Sequence, residues 1–340
     1  MKAFRCQVCR QSILFENTKC ESCGHTLGYL PKHSEMTAVE PVGNGWRALA
    51  DGTREYRFCK NWELHGCNWM VEKGGPSEYC LACQHNRIVP DLSDDKRHAA
   101  WRKIEAAKRR LFYSLIRLNL PAPTASENDG EPLVFDFLAE EPSQRPVLTG
   151  HDSGLITIAL KEADDPVREK MRDEMGEPYR TLLGHFRHEI GHYYWDRIVP
   201  HSEHLWPFRE LFGDEREDYF TALKRHYEEG PPADWRQKHI SAYASCHAWE
   251  DFAETFAHSF ALNNINRSMG QPDIYPFVIS PIVKEKLSFV QNLLMDHAQR
   301  HVAVAAPRVA NPSNCDTGQF AGEALLSCDE AASVQGDRSV

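Results

Sequence analysis

The run His188-Glu189-Ile190-Gly191-His192 sets two imidazoles four residues apart with a carboxylate between them. On a helix, His188 and His192 stand one turn apart on one face, so both rings can reach a single ion at about 2.0–2.1 Å. Glu189 points a quarter-turn aside, where a carboxylate can take a proton from water beside the metal without being a ligand. The chemistry this arrangement serves is metal-assisted hydrolysis. The five-residue pattern also arises by chance, so it needs a third ligand from elsewhere. The stretch Ser245 to His258 offers one: Glu250 and Glu254 fall one turn apart on one helical face, with Trp249, Phe252, Phe256 and Phe260 on the other. Two carboxylates flanked by Ala253, Ala257 and Ala261 on a helix this apolar call for a partner.

Cysteines make a second constellation. Cys6-x-x-Cys9 and Cys20-x-x-Cys23 are two knuckles that can wrap one tetrahedral zinc with four thiolates. Four thiolates leave no open position for water, so this zinc is structural, and it supplies folding free energy that so short a module cannot draw from a core. Cys59, Cys67, Cys80 and Cys83 follow, with only the last two closely paired. They suggest a second structural zinc, packed by Trp62, Trp69 and Tyr79.

The elements that must position these groups can be read from periodicity. In the His188 helix, Leu183, Phe186, Ile190 and Tyr194 recur opposite the histidines, giving a core side and an open side. His185 lies one turn before His188 and is expected at the rim; His201, His204, His247 and His258 are expected on the surface or in packing. A helix is expected over 99–118, with Trp101, Ile104, Ala107, Leu111 and Leu115 inward and the cations of Lys96 to Arg110 forming a solvated face. The acidic run Asp214 to Asp218 likewise reads as a solvated helix face. Alternating runs Leu133 to Leu138 and Leu155 to Leu160 read as strands, the second as an edge on which an extended substrate could pair. From Gly176 to about Gln299 the pattern is mostly helical. Four segments result: a zinc ribbon over 1–30, a second Cys-rich module over 31–95, a main domain over 96–300 and a disordered tail over 301–340, where Cys315 and Cys328 have no partner spacing.

Composition narrows the class. The chain has 340 residues, 41% of them hydrophobic, enough for about two units and a sizeable core. The N-terminus has no apolar leader, and no apolar run approaches the roughly 18 residues of a membrane span, so the expectation is a cytoplasmic protein without a membrane partner. Paired cysteines in such a chain read as metal ligands rather than disulfides. A net charge of -10 argues against nucleic acid as a partner.

The first motif is not extended by the glycine and third histidine of metzincins, whose places are held here by Trp195 and Ile198. It resembles gluzincins, and the run Glu250-Asp-Phe-Ala-Glu254 resembles the third-ligand helix of the anthrax lethal factor group, which also has glycine before the second histidine. That resemblance implies Glu250 as the third ligand and Glu254 as the carboxylate orienting a ligand histidine. It also implies Tyr243, seven residues before Glu250, as the donor to the oxyanion. The whole layout over about 1–300 is similar to a bacterial family of zinc-binding metallopeptidases with an N-terminal zinc ribbon. The residues that carry the likeness are Cys67-Asn-Trp69, Cys80-x-x-Cys83, Ile88 to Leu92, Glu105 to Leu111, Phe208 to Glu215 and Trp249 to Glu254. It implies an α+β fold: a mainly helical zincin-like domain with a small sheet, preceded by the ribbon. The implied cofactors are one catalytic Zn²⁺ and one or two structural ones; the implied partner is a peptide or protein substrate. The alternative is a zincin-shaped scaffold without turnover whose ribbon binds a protein, and, behind it, a nucleic-acid adaptor using the ribbon and the 96–110 helix.

Overall fold

The structure, a computed structural model, describes residues 2–127, 131–140, 146–166, 168, 181–269 and 280–305. The first cysteine knuckle is framed by a two-stranded antiparallel ladder, β1 (Phe4–Arg5) and β2 (Ser12–Ile13). A five-stranded antiparallel meander follows in chain order: β3 (Thr26–Leu30), β4 (Glu35–Val42), β5 (Gly45–Ala48), β6 (Asp51–Phe58) and β7 (Met70–Glu72). The meander curls back on itself, because Tyr29 in β3 bridges Trp69, immediately ahead of β7. The boundary expected after residue 30 falls at the last residue of β3, which is paired with β4 across it.

The second sheet has four strands in the order β10–β11–β9–β8: β8 (Asn86–Ile88), β9 (Val134–Leu138), β10 (Gly150–Asp152) and β11 (Leu155–Ala159). β8, β9 and β11 are parallel and β10 is antiparallel to β11. The expected edge is thereby corrected. β11 is hydrogen-bonded on both sides, and the edge is the short strand β10.

Helix α1 (Asp95–Leu118) begins where the Asp94 side chain accepts the Arg97 N–H and ends at Asn119 in the left-handed region. Trp101, Ile104, Leu111 and Leu115 are buried as the periodicity requires, but its cations are not all solvated. Lys108 is buried against Glu105 at 3.1 Å and donates to Asn86, while Arg109 donates to the Gly66 carbonyl. The expected polar face therefore carries a buried ion pair, because the cysteine-rich module covers it. Further helices are α2 (Leu182–Ile198), α3 (Leu205–Phe212), α4 (Tyr219–Glu229), α5 (Trp235–Lys238), α6 (Ala248–Met269) and α7 (Pro281–Ala305). The fold is α+β, with the ribbon region ahead of the helical part.

One buried apolar core runs from Phe4 through Trp69, Phe112 and Phe186 to Leu294. Its aromatic joint is tight: the ring centroids of Phe15 and Tyr29 are 4.8 Å apart, those of Tyr29 and Trp69 4.8 Å, and those of Phe15 and Tyr113 5.3 Å. Each such pair adds about 0.5–1.5 kcal/mol beyond the area it buries. The chain partitions into Met1–Ala303 and Val304–Val340. The tail expected from residue 301 is corrected at its start, where 301–305 continue α7; residues 306–340, with Cys315 and Cys328, lie outside the described residues. Among the described residues, no helix is long and apolar enough to cross a membrane.

Candidate metal centres

Thr181 starts α2 by accepting the Gly184 N–H at 2.9 Å. Phe186, Ile190 and Tyr194 then turn inward, Phe186 against Phe135 and Phe137 of β9 and Tyr194 stacked on Phe256 of α6. Beside Tyr194, the helix itself meets α6 at very close range. A Cβ on Gly191 would lie 3.0 Å from the Ala253 Cα and 3.2 Å from the Phe256 Cβ, so any larger residue would require these neighbours to give way by a few tenths of an ångström.

That approach brings His188, His192 and Glu250 together, with ligand atoms all within 4.8 Å of one another. The two Nε2 atoms are 3.2 Å apart, and His188 Nε2 is 3.0 Å from Glu250 Oε2. His188 Nδ1 donates to Glu254 Oε1 at 2.8 Å, which leaves its Nε2 as an acceptor. The Nε2 atoms of both histidines thus converge on Glu250 in a buried place, Glu250 being 2% exposed and its Oε2 making no well-aligned hydrogen bond. Such an orphan costs about 1–3 kcal/mol unless a cation sits among these atoms. Tetrahedral binding at about 2.0–2.1 Å sets ligand atoms roughly 3.4 Å apart, so the donor set fits zinc. The titration behaviour carries the same demand for positive charge. Burial works against it, yet Glu250 and Glu254 hold His188 well above its ordinary value. Burial likewise opposes ionisation of Glu254, but His188 pulls it down to about 2.

Glu189 is buried on α2 between the two histidines. Tyr243, in the short 3₁₀ turn Tyr243–Ser245 ahead of α6, has its ring 6.1 Å from that of His188. Burial, with Glu250 nearby, raises its phenol well above the usual value, so it is a neutral donor. His185 stands apart from the convergence, its Nδ1 3.2 Å from Glu162 Oε2. His247 contacts the Glu217 carbonyl at 3.1 Å and His258 the Glu254 carbonyl at 2.8 Å.

Three features escaped the periodicity. Trp249 is not on the far side of α6 from the histidines; its ring lies 3.8 Å from that of His192. His151 of β10 is parallel to His192 at 6.2 Å, and burial, with His192, lowers it to about 4. Tyr219 donates to Glu250 Oε1 at 2.8 Å. The acidic run before it is no helix face. It is the turn into α4, where Asp218 accepts the Thr221 N–H and Glu215 pairs with Arg209. A tyrosine at a capped helix start was the available signal.

Both cysteine sets converge. Cys6 and Cys23 sulfurs are 3.6 Å apart, as are those of Cys9 and Cys20 and those of Cys67 and Cys80. Disulfide sulfurs lie at about 2.05 Å, whereas a tetrahedron with metal–sulfur bonds of about 2.3 Å has edges of roughly 3.8 Å. In the second set, Cys59, Cys67, Cys80 and Cys83 are all buried, and backbone N–H groups of Trp69 and Cys80 point at the Cys67 and Cys59 sulfurs. The loose gap between Cys59 and Cys67 is closed because the meander returns through Trp69.

Comparison with known proteins also points to zinc binding. A family described as "Putative zinc-binding metallo-peptidase" matches residues 97–261 and 259–293, and a zinc-ribbon domain matches residues 3–94. The chain is 37% identical to an uncharacterized protein of Mycobacterium tuberculosis strain H37Rv, over 86% of this chain and 95% of that one. An uncharacterized protein of Mycobacterium bovis matches with the same identity and coverage. No solved structure matches.

Proposed function

The chain belongs to this family of zinc-binding metallo-peptidases, and from that premise we propose that it hydrolyses peptide bonds with a zinc held by His188, His192 and Glu250. The observation that carries the reading is the buried convergence of two imidazole nitrogens and a carboxylate oxygen between α2 and α6, with Glu254 bonded to the other nitrogen of His188. A zinc ion held by these three residues would supply Lewis-acid activation of a water molecule, lowering its pKa toward about 7. Glu189 takes the proton from the attacking water and passes it to the leaving amine. Tyr243, kept protonated by burial, donates to the oxyanion that develops on the scissile carbonyl. The edge strand β10 offers main-chain groups to an extended peptide. The two sets of four cysteines each take a structural zinc, and the ribbon is free to engage a protein partner.

The test is zinc content and hydrolysis measured together, on protein purified without added metal. His188→Ala/His192→Ala should lose one equivalent of zinc while the thiolate-bound metal stays. Glu189→Gln should keep full zinc content and lose about 10²–10⁴-fold in turnover of a peptide library. Unchanged zinc in the double variant would sink the site. Full zinc in the wild type with no cleavage of any peptide would leave a metal-binding scaffold.

A further inference from the structure

Tyr219, the first residue of α4, makes a contact at the site that the hydrolytic roles above do not use. Its hydroxyl donates to Glu250 Oε1 at 2.8 Å, while Oε2 of the same carboxylate is buried without a hydrogen bond and lies 3.0 Å from His188 Nε2. The two oxygens are therefore put to different uses. A carboxylate can bind a divalent ion through one oxygen or both, and a second bound oxygen takes the place that water needs at a catalytic zinc. A phenol engaged on Oε1 opposes that second bond.

The tyrosine is itself held in place. Asp218 caps the start of α4 by accepting the Thr221 N–H at 2.8 Å. The Tyr219 ring stands edge-on to His247 at 5.4 Å and to Trp249 at 6.1 Å, and Trp249 lies against His192. The hydroxyl thus reaches Glu250 from a frame tied to the same histidine the metal would use.

We propose that Tyr219 is a positioning residue that makes Glu250 a one-oxygen ligand through Oε2 and so keeps a coordination position open for water. This rests on the reading of His188, His192 and Glu250 as the metal site. Tyr219→Phe retains the ring packing and removes only the hydroxyl. The full chain is loaded with cobalt(II), and the visible spectrum of the equally loaded His188→Ala/His192→Ala protein is subtracted to remove thiolate-bound cobalt. Four-coordinate cobalt absorbs strongly, and five- or six-coordinate cobalt weakly.

The wild type is expected to show the strong band, and Tyr219→Phe a band several-fold weaker at equal histidine-dependent cobalt content. An unchanged band in Tyr219→Phe, or a weak band already in the wild type, overturns the inference and leaves the metal site standing. A Tyr219→Phe protein that takes up no histidine-dependent cobalt also overturns it, since a hydroxyl that only sets the binding mode is not needed for uptake. A wild type with no histidine-dependent cobalt overturns the metal site and this inference together.

Discussion

Single side chains at the site work in pairs, and each pair makes a separable contribution. Glu254 touches His188 only through Nδ1, so its effect on a metal is indirect: it fixes which nitrogen carries the proton and raises the basicity of the other. Glu254→Ala is therefore expected to weaken zinc binding by about 10–100-fold, the usual cost of losing such a partner, with the thiolate zinc untouched. Competition with a chromophoric chelator reads this directly, and unaltered affinity would refute it. One residue from Glu250, Asp251 is fully buried and accepts from Lys286 of α7 and, at 2.8 Å, from His239; Lys286 also donates to the Lys238 carbonyl at 2.8 Å. Removing one partner of a buried pair strands the other charge, so Lys286→Met should cost about 3–5 kcal/mol in urea unfolding. Asp251→Asn added to it should restore part of that loss, because the uncompensated charge is gone. If the double variant is no more stable than the single one, the pair is not what holds α6 to α7.

At the scale of elements, the distance between α2 and α6 decides whether four side chains meet. Gly191 sets that distance. Alanine there would gain about 1 kcal/mol in helix propensity, but its Cβ would press on the Ala253 backbone at 3.0 Å and 3.3 Å, and overpacking of this kind costs about 1–3 kcal/mol. The second effect wins where backbone must move. Gly191→Ala is thus expected to lower stability slightly and zinc affinity markedly, since the ligands ride on the two helices being parted. A variant with full zinc affinity would show that the helices have room to spare. Much of this pairing was legible in the sequence: a repeat of four residues places His188 with His192 and Glu250 with Glu254, and a helix needs nothing else to align them. Tyr219 and His151 were not assigned to the site, because they reach it from the start of another helix and from a three-residue strand, where no periodicity links them to the ligands. Trp249 was assigned to the wrong side for a related reason. Periodicity shows which residues of a helix share a face, but both faces of α6 are buried, and only the neighbours tell them apart. Lys108 misled in the same way: its partner Asn86 is brought by β8, and a charge beside Glu105 on one helix looks solvated until something covers it.

For the molecule as a whole, the question is whether the cysteine-rich part is an appendage or a support. The contacts favour a support. Cys83 faces Glu105 of α1 at 3.8 Å, and Glu105 also accepts from Asn86 and from Lys108, whose ammonium lies 5.3 Å from the Phe137 ring centre. Phe137 packs edge-on against Phe186 of α2, two residues before His188. Gly66, between Cys59 and Cys67, sits directly on the Trp101 ring of α1, where no Cβ would fit. Cys83, Glu105, Lys108, Phe137, Phe186, Gly66 and Trp101 are all buried, and Cys83, Trp101, Phe137 and Phe186 belong to one apolar core, so the second cysteine set and the histidine helix share it. Structural zinc of this type contributes folding free energy outright, about 10–16 kcal/mol in isolated zinc-finger peptides at neutral pH. Cys80→Ser/Cys83→Ser should accordingly lower the melting temperature of the whole chain by roughly 10 °C or more, at a few degrees per kcal/mol for domains of this size. It should do so in one transition, with zinc at the histidine site released at the same temperature as the core melts. Calorimetry with a zinc indicator present checks both. Two separate transitions, with the histidine site unaffected in the lower one, would mean that the cysteine-rich part is carried by the helical part without supporting it.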